Sequence, residues 1–146
     1  MTHAPLTILL AEDDEGHAEL IRLNLERTRA INEIVHVPDG QEALDYIRRE
    51  GRYANRRQGP LIALMDIKMP VLDGVETLRQ LKADARTAMI PVIMLTTTDD
   101  PREVEHCCQL GCNIYITKPM EYERFCEALR ELGMFLQFVA VPNEAI

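Results

Sequence analysis

Five short apolar runs, each followed by a helix-like segment, restrict the possible folds of this chain more than any other feature of its sequence. The runs cover residues 6–11, 34–37, 61–65, 92–95 and 114–116, and the helix-like segments lie near residues 16–28, 41–50, 75–83, 101–110 and 121–133. The runs are almost continuously apolar rather than alternating, which is typical of strands buried on both faces of a parallel sheet. Because right-handed crossovers join such strands, the alternation predicts one doubly wound α/β domain over residues 1–133.

Three of the helix-like segments begin with Asp-x-x-Glu, the pattern of a capping box. In this arrangement the Asp oxygen accepts from a free backbone N–H of the first turn, while the Glu reaches back. The three pairs are Asp39/Glu42, Asp73/Glu76 and Asp100/Glu103. Pro101 suits a first helical position, where no N–H is needed. By the same reasoning, Asp14 and Asp73 are expected to start helices rather than bind ligands.

The charge distribution argues against nucleic acid as a partner. The net charge is −8, whereas phosphate recognition requires clustered Lys and Arg. The exception is a basic segment, residues 48–57, for which a solvated helix end and loop is favoured over a docking patch for an acidic partner. The chain has neither an apolar run long enough to span a membrane nor a secretory signal before Leu6, so we expect it to be cytoplasmic.

The cysteine and histidine residues show no metal-binding pattern. The four cysteines, Cys107, Cys108, Cys112 and Cys126, contain no CxxC pair, which predicts reduced thiols and disfavours a zinc site. The four histidines, His3, His17, His36 and His106, have no acidic partner at a telling spacing. We therefore predict that the histidines are structural or surface residues.

Polar residues follow four of the five apolar runs, where each predicted strand ends. They are Glu12, Asp13 and Asp14 after the first run, Asp66 after the third, Thr96, Thr97 and Thr98 at the fourth, and Thr117 and Lys118 at the fifth. Sites in doubly wound sheets form outside the carboxyl ends of the strands. Crowded carboxylates repel one another unless a cation joins them, and Mg²⁺ bound by one or two carboxylates leaves room for phosphoryl oxygens.

This set of side chains predicts phosphoryl transfer to a carboxylate. An aspartate can act as a nucleophile and form an acyl phosphate. Lys118 and the hydroxyl of Thr96 can then offset the charge on the phosphoryl oxygens. A lysine at a buried strand end also needs a charge partner, because an unpaired ammonium there is costly. Thr97 and Thr98 are either simple β-formers or residues that control access to the acyl phosphate.

The motifs ILLAEDD, ALMDIKMPVLDG, IPVIMLTTTDD and NIYITKP resemble those of bacterial two-component receiver domains, over residues 6 to about 133. The resemblance implies a flavodoxin-like fold with five helices and strand order 2-1-3-4-5. It implies Asp66 as the phosphoacceptor, and Glu12, Asp13, Asp66 and the Lys68 backbone carbonyl as Mg²⁺ ligands. It also implies that Thr96, Thr97 and Lys118 contact the phosphate, that Thr96 and Tyr115 form the switch, and that no other cofactor is bound. From the residues alone, Tyr115 can also be read as core filler.

A narrower resemblance comes from the GRYANRR loop before the third run and from the apolar tail, which are similar to those of phytochrome-associated single-domain response regulators. It implies a histidine kinase as partner, and a phytochrome-linked kinase in particular. No output domain is expected after the fifth helix, so signalling would run through protein contacts or through a phosphorelay in which this chain is an intermediate.

Three other functions are less well supported. A phosphatase of the haloacid dehalogenase type, which also uses an aspartyl nucleophile, has an Asp-x-Asp motif after its first strand. In this chain the predicted nucleophile follows the third run, and Lys68 stands two residues beyond it. A dinucleotide- or flavin-binding module lacks its phosphate loop, because acidic residues follow the first run. A receiver that serves only as a scaffold would not need the complete set. We therefore expect a phosphoacceptor protein and not an enzyme.

The tail, residues 134–146, is predicted to be an apolar extension. From Met134 to Val141 only Gln137 has a polar side chain, so the segment has an apolar face whether it is a strand or a helix. We predict a two-fold symmetric homodimer in which the last helix and residues 134–142 pack against a second copy. The alternatives are that the tail folds back over its own last helix or docks on the kinase.

Overall fold

The computed structural model describes residues 6–144 and contains a five-stranded parallel sheet. Its strands are β1 (Leu6–Ala11), β2 (Ile31–Val37), β3 (Leu61–Met65), β4 (Val92–Thr96) and β5 (Ile114–Thr117). The order β2-β1-β3-β4-β5 confirms the predicted doubly wound topology. The second strand begins three residues earlier than predicted, because an edge strand accepts polar residues such as Glu33. His3 and residues 145–146 lie outside the described part.

Five helices cover the two faces of the sheet. They are α1 (Glu15–Leu25), α2 (Gly40–Arg48), α3 (Gly74–Ala83), α4 (Pro101–Leu110) and α5 (Tyr122–Leu136), with a short 3₁₀ turn at Gly51–Tyr53. Alternate residues of β1 point to opposite faces. Leu9 and Ala11 pack on the side of α2, α3 and α4, whereas Ile8 and Leu10 pack on the side of α1 and α5. In residues 6–144, no helix combines the length and apolar composition needed to span a bilayer.

The helix starts confirm the capping role of the Asp in each predicted capping box. Asp39 and Asp73 accept from the backbone N–H three residues on, at 2.8 Å each, and Asp100 accepts from the N–H two residues on. Pro101 is the first residue of α4, as expected. The glutamates of the first two boxes do not reach back. Their carboxylates bind the guanidinium groups of Arg52 and Arg79, because a hydrogen bond between two charged groups is stronger than one to a neutral amide.

The end of α5 corrects the predicted boundary of the tail. The helix continues to Leu136, so the boundary between residues 133 and 134 falls inside it. Leu136 is buried, and Val141 packs against the core on the α1 and α5 side. The side chains of Met134, Phe135 and Phe138 remain 63%, 50% and 85% exposed. The tail therefore buries part of its apolar surface on its own chain and leaves the rest open.

An ion pair between Arg56 and Glu144, which we call the latch, fixes the tail at the edge where the strands begin. The two guanidinium nitrogens lie 2.5 and 3.0 Å from the Glu144 carboxylate oxygens, and the same carboxylate accepts from the N–H of Gly59 at 3.1 Å. Arg56 also donates to the carbonyl oxygens of Tyr46 and Ile47 and stacks over the Tyr46 ring at 4.2 Å. Arg56 is thus structural rather than a solvated loop residue. The tail packs in part on its own chain, as in the fold-back alternative, although its contacts are with Arg56 and Gly59 and not only with the last helix.

Candidate functional site

The backbone brings the predicted site residues to one edge of the sheet through hydrogen bonds between neighbouring strand ends. The N–H of Asp66 donates to the carbonyl of Ala11, and that of Lys118 to the carbonyl of Thr96, at 3.0 and 2.6 Å. The N–H of Glu12 donates in the same way to Val37. The site is therefore built on rigid strands, and its side chains start from fixed positions.

Lys118 lies at the centre of the site and has the charge partners that its burial requires. Its side chain is only 1% exposed. The ammonium donates to the Glu12 carboxylate, lies 3.1 Å from Asp66 Oδ2 and lies 3.1 Å from His17 Nδ1. Three N–H donors thus meet three acceptors, which offsets the cost of removing the charge from water.

The two carboxylates beside Lys118 have opposite pKa shifts. Burial, helped by the neighbouring Asp66 carboxylate, raises the pKa of Glu12 to about 7. Burial also tends to raise the pKa of Asp66, but its hydrogen bond with Glu12, the charge of Lys118 and the Thr96 hydroxyl outweigh it and hold the pKa below the usual value. Of the two, Asp66 is therefore the more readily ionised carboxylate, and Glu12 is the one that holds a proton to higher pH.

Glu12, Asp13 and Asp66 form a candidate cation site. One oxygen from each carboxylate lies within 4.8 Å of the others, and in residues 6–144 no other cluster of metal-ligating side chains occurs. The oxygen-only donor set and the excess of negative charge over Lys118 fit a hard divalent cation. Asp14 is excluded from this set because it caps α1, accepting from the N–H of His17 at 2.9 Å.

Thr96 and Tyr115 are connected through Thr98. The hydroxyl oxygen of the buried Thr96 accepts from the Thr98 N–H at 3.4 Å, and the Tyr115 hydroxyl donates to the Thr98 carbonyl at 2.7 Å. Burial raises the pKa of Tyr115 to about 12, so its hydroxyl stays protonated and can donate. Thr97 is exposed, and its phosphate contact, like the carbonyl role of Lys68, stays a prediction.

The loop after Asp66 is held in a single tight conformation. A Cβ on Gly74 would lie 1.9 Å from the Asp66 carbonyl oxygen, so only glycine allows α3 to begin this close to the strand end. Asp66 Oδ1 accepts from the N–H of Ile67 at 2.7 Å. Val71, midway along the loop, has a φ of 68° and a side chain that is 79% exposed. A β-branched residue is strained in this left-handed region.

Two histidines that we predicted to be structural or surface residues touch the site. His17 is 38% exposed and so lies at the surface as predicted, but its ring also contacts the ammonium of Lys118. His36 Nε2 lies 2.7 Å from the Glu12 backbone oxygen. A signal for His17 was present, since the first turn of the helix after the acidic segment faces the strand ends. The hydrogen-bond partner of His17 is a lysine and not an acidic residue, so the absence of an acidic partner near it in the sequence was no guide. His106 is exposed, as predicted.

The cysteines match their prediction. All four are free thiols in the described part of the chain. Burial raises the pKa of Cys107 to about 11 and that of Cys112 to about 12, so both stay protonated at neutral pH. Cys107 is buried and Cys112 half-buried, and both act as small packing residues.

Comparison with known proteins agrees with this geometry. A family model described as the response regulator receiver domain matches residues 8–130. The probable methanogenesis regulatory protein FilR2 of Methanothrix harundinacea is 36% identical over 129 residues, covering 88% of this chain and 81% of that protein. The response regulator Rcp1 of Synechocystis is 28% identical over 142 residues, covering 97% of this chain and 96% of Rcp1.

Two solved structures show the same fold over nearly the whole chain. The phosphorylated cyanobacterial phytochrome response regulator RcpA has a TM-score of 0.88 at 32% identity, covering 97% of this chain and 99% of RcpA. The Mn²⁺-bound form of Rcp1 has a TM-score of 0.87 at 28% identity, covering 94% of this chain and 99% of Rcp1. The likeness therefore extends through α5 and most of the tail.

Proposed function

Because the chain belongs to the response regulator receiver domain family of two-component signalling, we propose that it accepts a phosphoryl group from a histidine kinase onto Asp66. The main support is the difference in solvent exposure among the three charged side chains at the centre of the site. The side chains of Glu12 and Lys118 are each 1% exposed, whereas that of Asp66 is 11% exposed and has a lowered pKa. Asp66 is therefore the ionised carboxylate that a phosphodonor can reach.

We propose Mg²⁺ as the cofactor, held by Glu12, Asp13, Asp66 and the backbone carbonyl of Lys68. When bound, the ion supplies positive charge that offsets the charge of the transferring phosphoryl group. Support comes from the three clustered carboxylates and from the Mn²⁺ that the related Rcp1 binds. Lys118 contributes a second positive charge by moving its hydrogen bond from Asp66 to a phosphoryl oxygen.

The conformational response is proposed to run from Thr96 to Tyr115. A phosphoryl group on Asp66 attracts the Thr96 hydroxyl, which then releases the N–H of Thr98. Because Thr98 also accepts from the Tyr115 hydroxyl, a shift of its backbone weakens that bond and frees the ring to turn. Phosphorylation favours the second state only by the difference in its interactions with the two states.

The proposed protein is a phosphoacceptor that assists only its own phosphorylation and dephosphorylation, without turnover of a separate substrate. A phosphatase would need an acid/base group two residues beyond Asp66, where Lys68 stands. We place the protein in the cytoplasm, with no nucleic acid or membrane as partner, in keeping with its net charge of −8.

The kinase partner is proposed to be linked to a phytochrome. This proposal rests on the likeness to Rcp1 and to RcpA, of which the latter is a phytochrome response regulator. The chain then signals through protein contacts or passes the phosphoryl group on as a phosphorelay intermediate.

We also propose a homodimer through the last helix and the tail. The side chains of Met134, Phe135 and Phe138 are exposed to solvent although the latch is formed. Their burial against a second copy would remove apolar surface from water. Truncation at Gly133 would also remove buried Leu136 and the latch, so substitution is the cleaner test. Phe138→Ser with Met134→Gln should shift sedimentation towards the monomer, whereas Met89→Gln, at an exposed residue elsewhere, should not.

Labelling by a small phosphodonor in Mg²⁺, followed by intact mass, tests the phosphoacceptor assignment. The wild type should gain one acid-labile phosphoryl group, and Asp66→Asn should gain none. Asp13→Asn should label at least about tenfold more slowly, because the ion is held less tightly. Labelling of Asp66→Asn at the wild-type rate would place the phosphoryl group elsewhere.

A further inference from the structure

His17 is the most exposed of the three groups that surround the ammonium of Lys118. Its side chain is 38% exposed, against 11% for Asp66 and 1% for Glu12. His17 Nδ1 lies 3.1 Å from Lys118 Nζ. The imidazole ring therefore lies between the buried ammonium and the surface of the protein.

The contact with the ammonium indicates which ring nitrogen is the acceptor. An ammonium can only donate, so Nδ1 accepts in this contact and the ring hydrogen is on Nε2. An imidazolium would direct its own N–H at the ammonium, which places two like charges in contact. The nearest carboxylate oxygen, Glu12 Oε1, is 3.8 Å from Nδ1 and is too far to accept a hydrogen bond from it.

Two helices hold the ring in this orientation. The backbone N–H of His17 donates to the Asp14 carboxylate that caps α1. The ring also meets the ring of Phe125 on α5 edge to face, with centroids 5.8 Å apart and an angle of 88° between the planes. The position of Nδ1 is therefore fixed before any phosphodonor arrives.

We propose that His17 is a positioning residue for Lys118 in the phosphotransfer reaction. It accepts one N–H of the ammonium without adding negative charge, so the ammonium stays oriented towards Asp66 and keeps its full charge for the phosphoryl oxygens. A carboxylate at the same place would neutralise that charge. The inference rests on the proposed function of Asp66, and its consequences for the metal-free protein can be tested separately.

The tautomer of His17 is the first test, and it needs neither metal nor phosphate. In a long-range proton–nitrogen NMR spectrum of the metal-free full chain, His17 should show an unprotonated Nδ1 and a protonated Nε2. Lys118→Met should shift the Nδ1 resonance of the neutral ring, because the hydrogen bond that Nδ1 accepts has gone. A protonated Nδ1 in the wild type, or an Nδ1 resonance that does not move in Lys118→Met, overturns the proposal.

Three substitutions of His17 then separate hydrogen bonding from packing. His17→Asn keeps an acceptor one bond from Cγ, at the position of Nδ1, and should label at close to the wild-type rate. His17→Phe keeps a ring against Phe125 without the acceptor, and its labelling rate should fall about tenfold. His17→Asp keeps the acceptor but adds charge, and it should also label more slowly than His17→Asn.

The controls distinguish failure of this inference from failure of the proposed function. Mg²⁺ affinity should be comparable in the Asn and Phe variants, and His106→Phe, at an exposed histidine of α4, should label like the wild type. Absence of labelling in the wild type would refute the phosphoacceptor role itself. If the wild type labels and His17→Phe matches it, or His17→Asn falls as far as His17→Phe, the positioning role is wrong.

Discussion

At the edge where the strands begin, Arg56 faces one carboxylate, whereas at the edge where they end, Lys118 faces two. In the latch, charges of opposite sign are equal in number, and the remaining guanidinium donors bind backbone carbonyls. In the candidate site, Glu12 and Asp66 share a single ammonium, and Asp13 adds a third carboxylate at the surface. One edge is electrostatically complete, and the other is short of positive charge.

The difference shows how one buried ion pair can serve stability and another can serve chemistry. An ion pair with equal charges and complete hydrogen bonds does not attract an additional ion. In the unbalanced cluster, burial and the neighbouring Asp66 raise the pKa of Glu12 to about 7, and a cation bound there would lower it. The same residue types therefore have different roles, because the ratio of charges differs.

Removal of the positively charged side chain at each edge should give the largest contrast in stability between the two edges. Lys118→Met leaves Glu12 and Asp66 facing each other, and Arg56→Met leaves Glu144 without its partner. Each should lower the free energy of unfolding at pH 8 by about 3 kcal/mol in the absence of divalent ions. Mg²⁺ should restore most of the loss in Lys118→Met, because the ion replaces the missing charge.

Urea unfolding with EDTA and with Mg²⁺ measures this contrast. In Arg56→Met, Mg²⁺ should add only the increment that it adds to the wild type. An equal response of the two variants to Mg²⁺ would mean that the two edges do not differ in the way described.

The second contrast is in pH dependence. Because the folded-state pKa of Glu12 is about 7 and its ordinary value is 4.5, the folded metal-free protein binds more protons than the unfolded chain between these values. This contribution to stability is complete below about pH 4.5 and is lost as the pH rises through 7, by at most about 3 kcal/mol. Metal-free unfolding measured from pH 5 to 8 should show the decline, and Glu12→Gln should flatten it.

The smallest contrast comes from removal of a single negative charge at each edge. Glu144→Gln should lower the free energy of unfolding by about 1–2 kcal/mol, because it weakens charge-assisted hydrogen bonds to Arg56. Glu12→Gln should leave the metal-free protein at pH 8 unchanged or up to about 1 kcal/mol more stable, since one cation then faces one anion. Paired urea titrations should show a loss of stability in Glu144→Gln and none in Glu12→Gln, and a clear loss in both variants would contradict the comparison.

The strands and helices could be predicted because each one is specified locally. Four of the five apolar runs match their strands to within one residue, and Asp39 and Asp73 mark helix starts that the structure confirms. The end of α5 could not be read from the pattern, because an apolar tail continues a helix and a strand equally well. Whether Leu136 is buried depends on the core beneath it, which local sequence does not reveal.

Some residues of the candidate site could also be predicted from the sequence, and others could not. Asp66, Glu12 and Lys118 follow directly from their places at strand ends, and the structure brings them together as predicted. Sequence separation is not the reason that His17 and Glu144 were missed, since the predicted contact between Glu12 and Lys118 spans 106 residues. His17 and Glu144 lie in the first turn of α1 and in the tail, and neither follows a strand end.

The left-handed backbone of Val71 has a consequence for how this protein can change. Asn or Gly would occupy that conformation at lower cost, by about 1 kcal/mol or more, yet a valine stands there with its side chain in water. The strain at Val71 therefore lowers the stability of the protein, and a single substitution that removes the strain would raise it. Engineering for thermal tolerance would begin at position 71, at the expense of an exposed apolar side chain in the loop that follows Asp66.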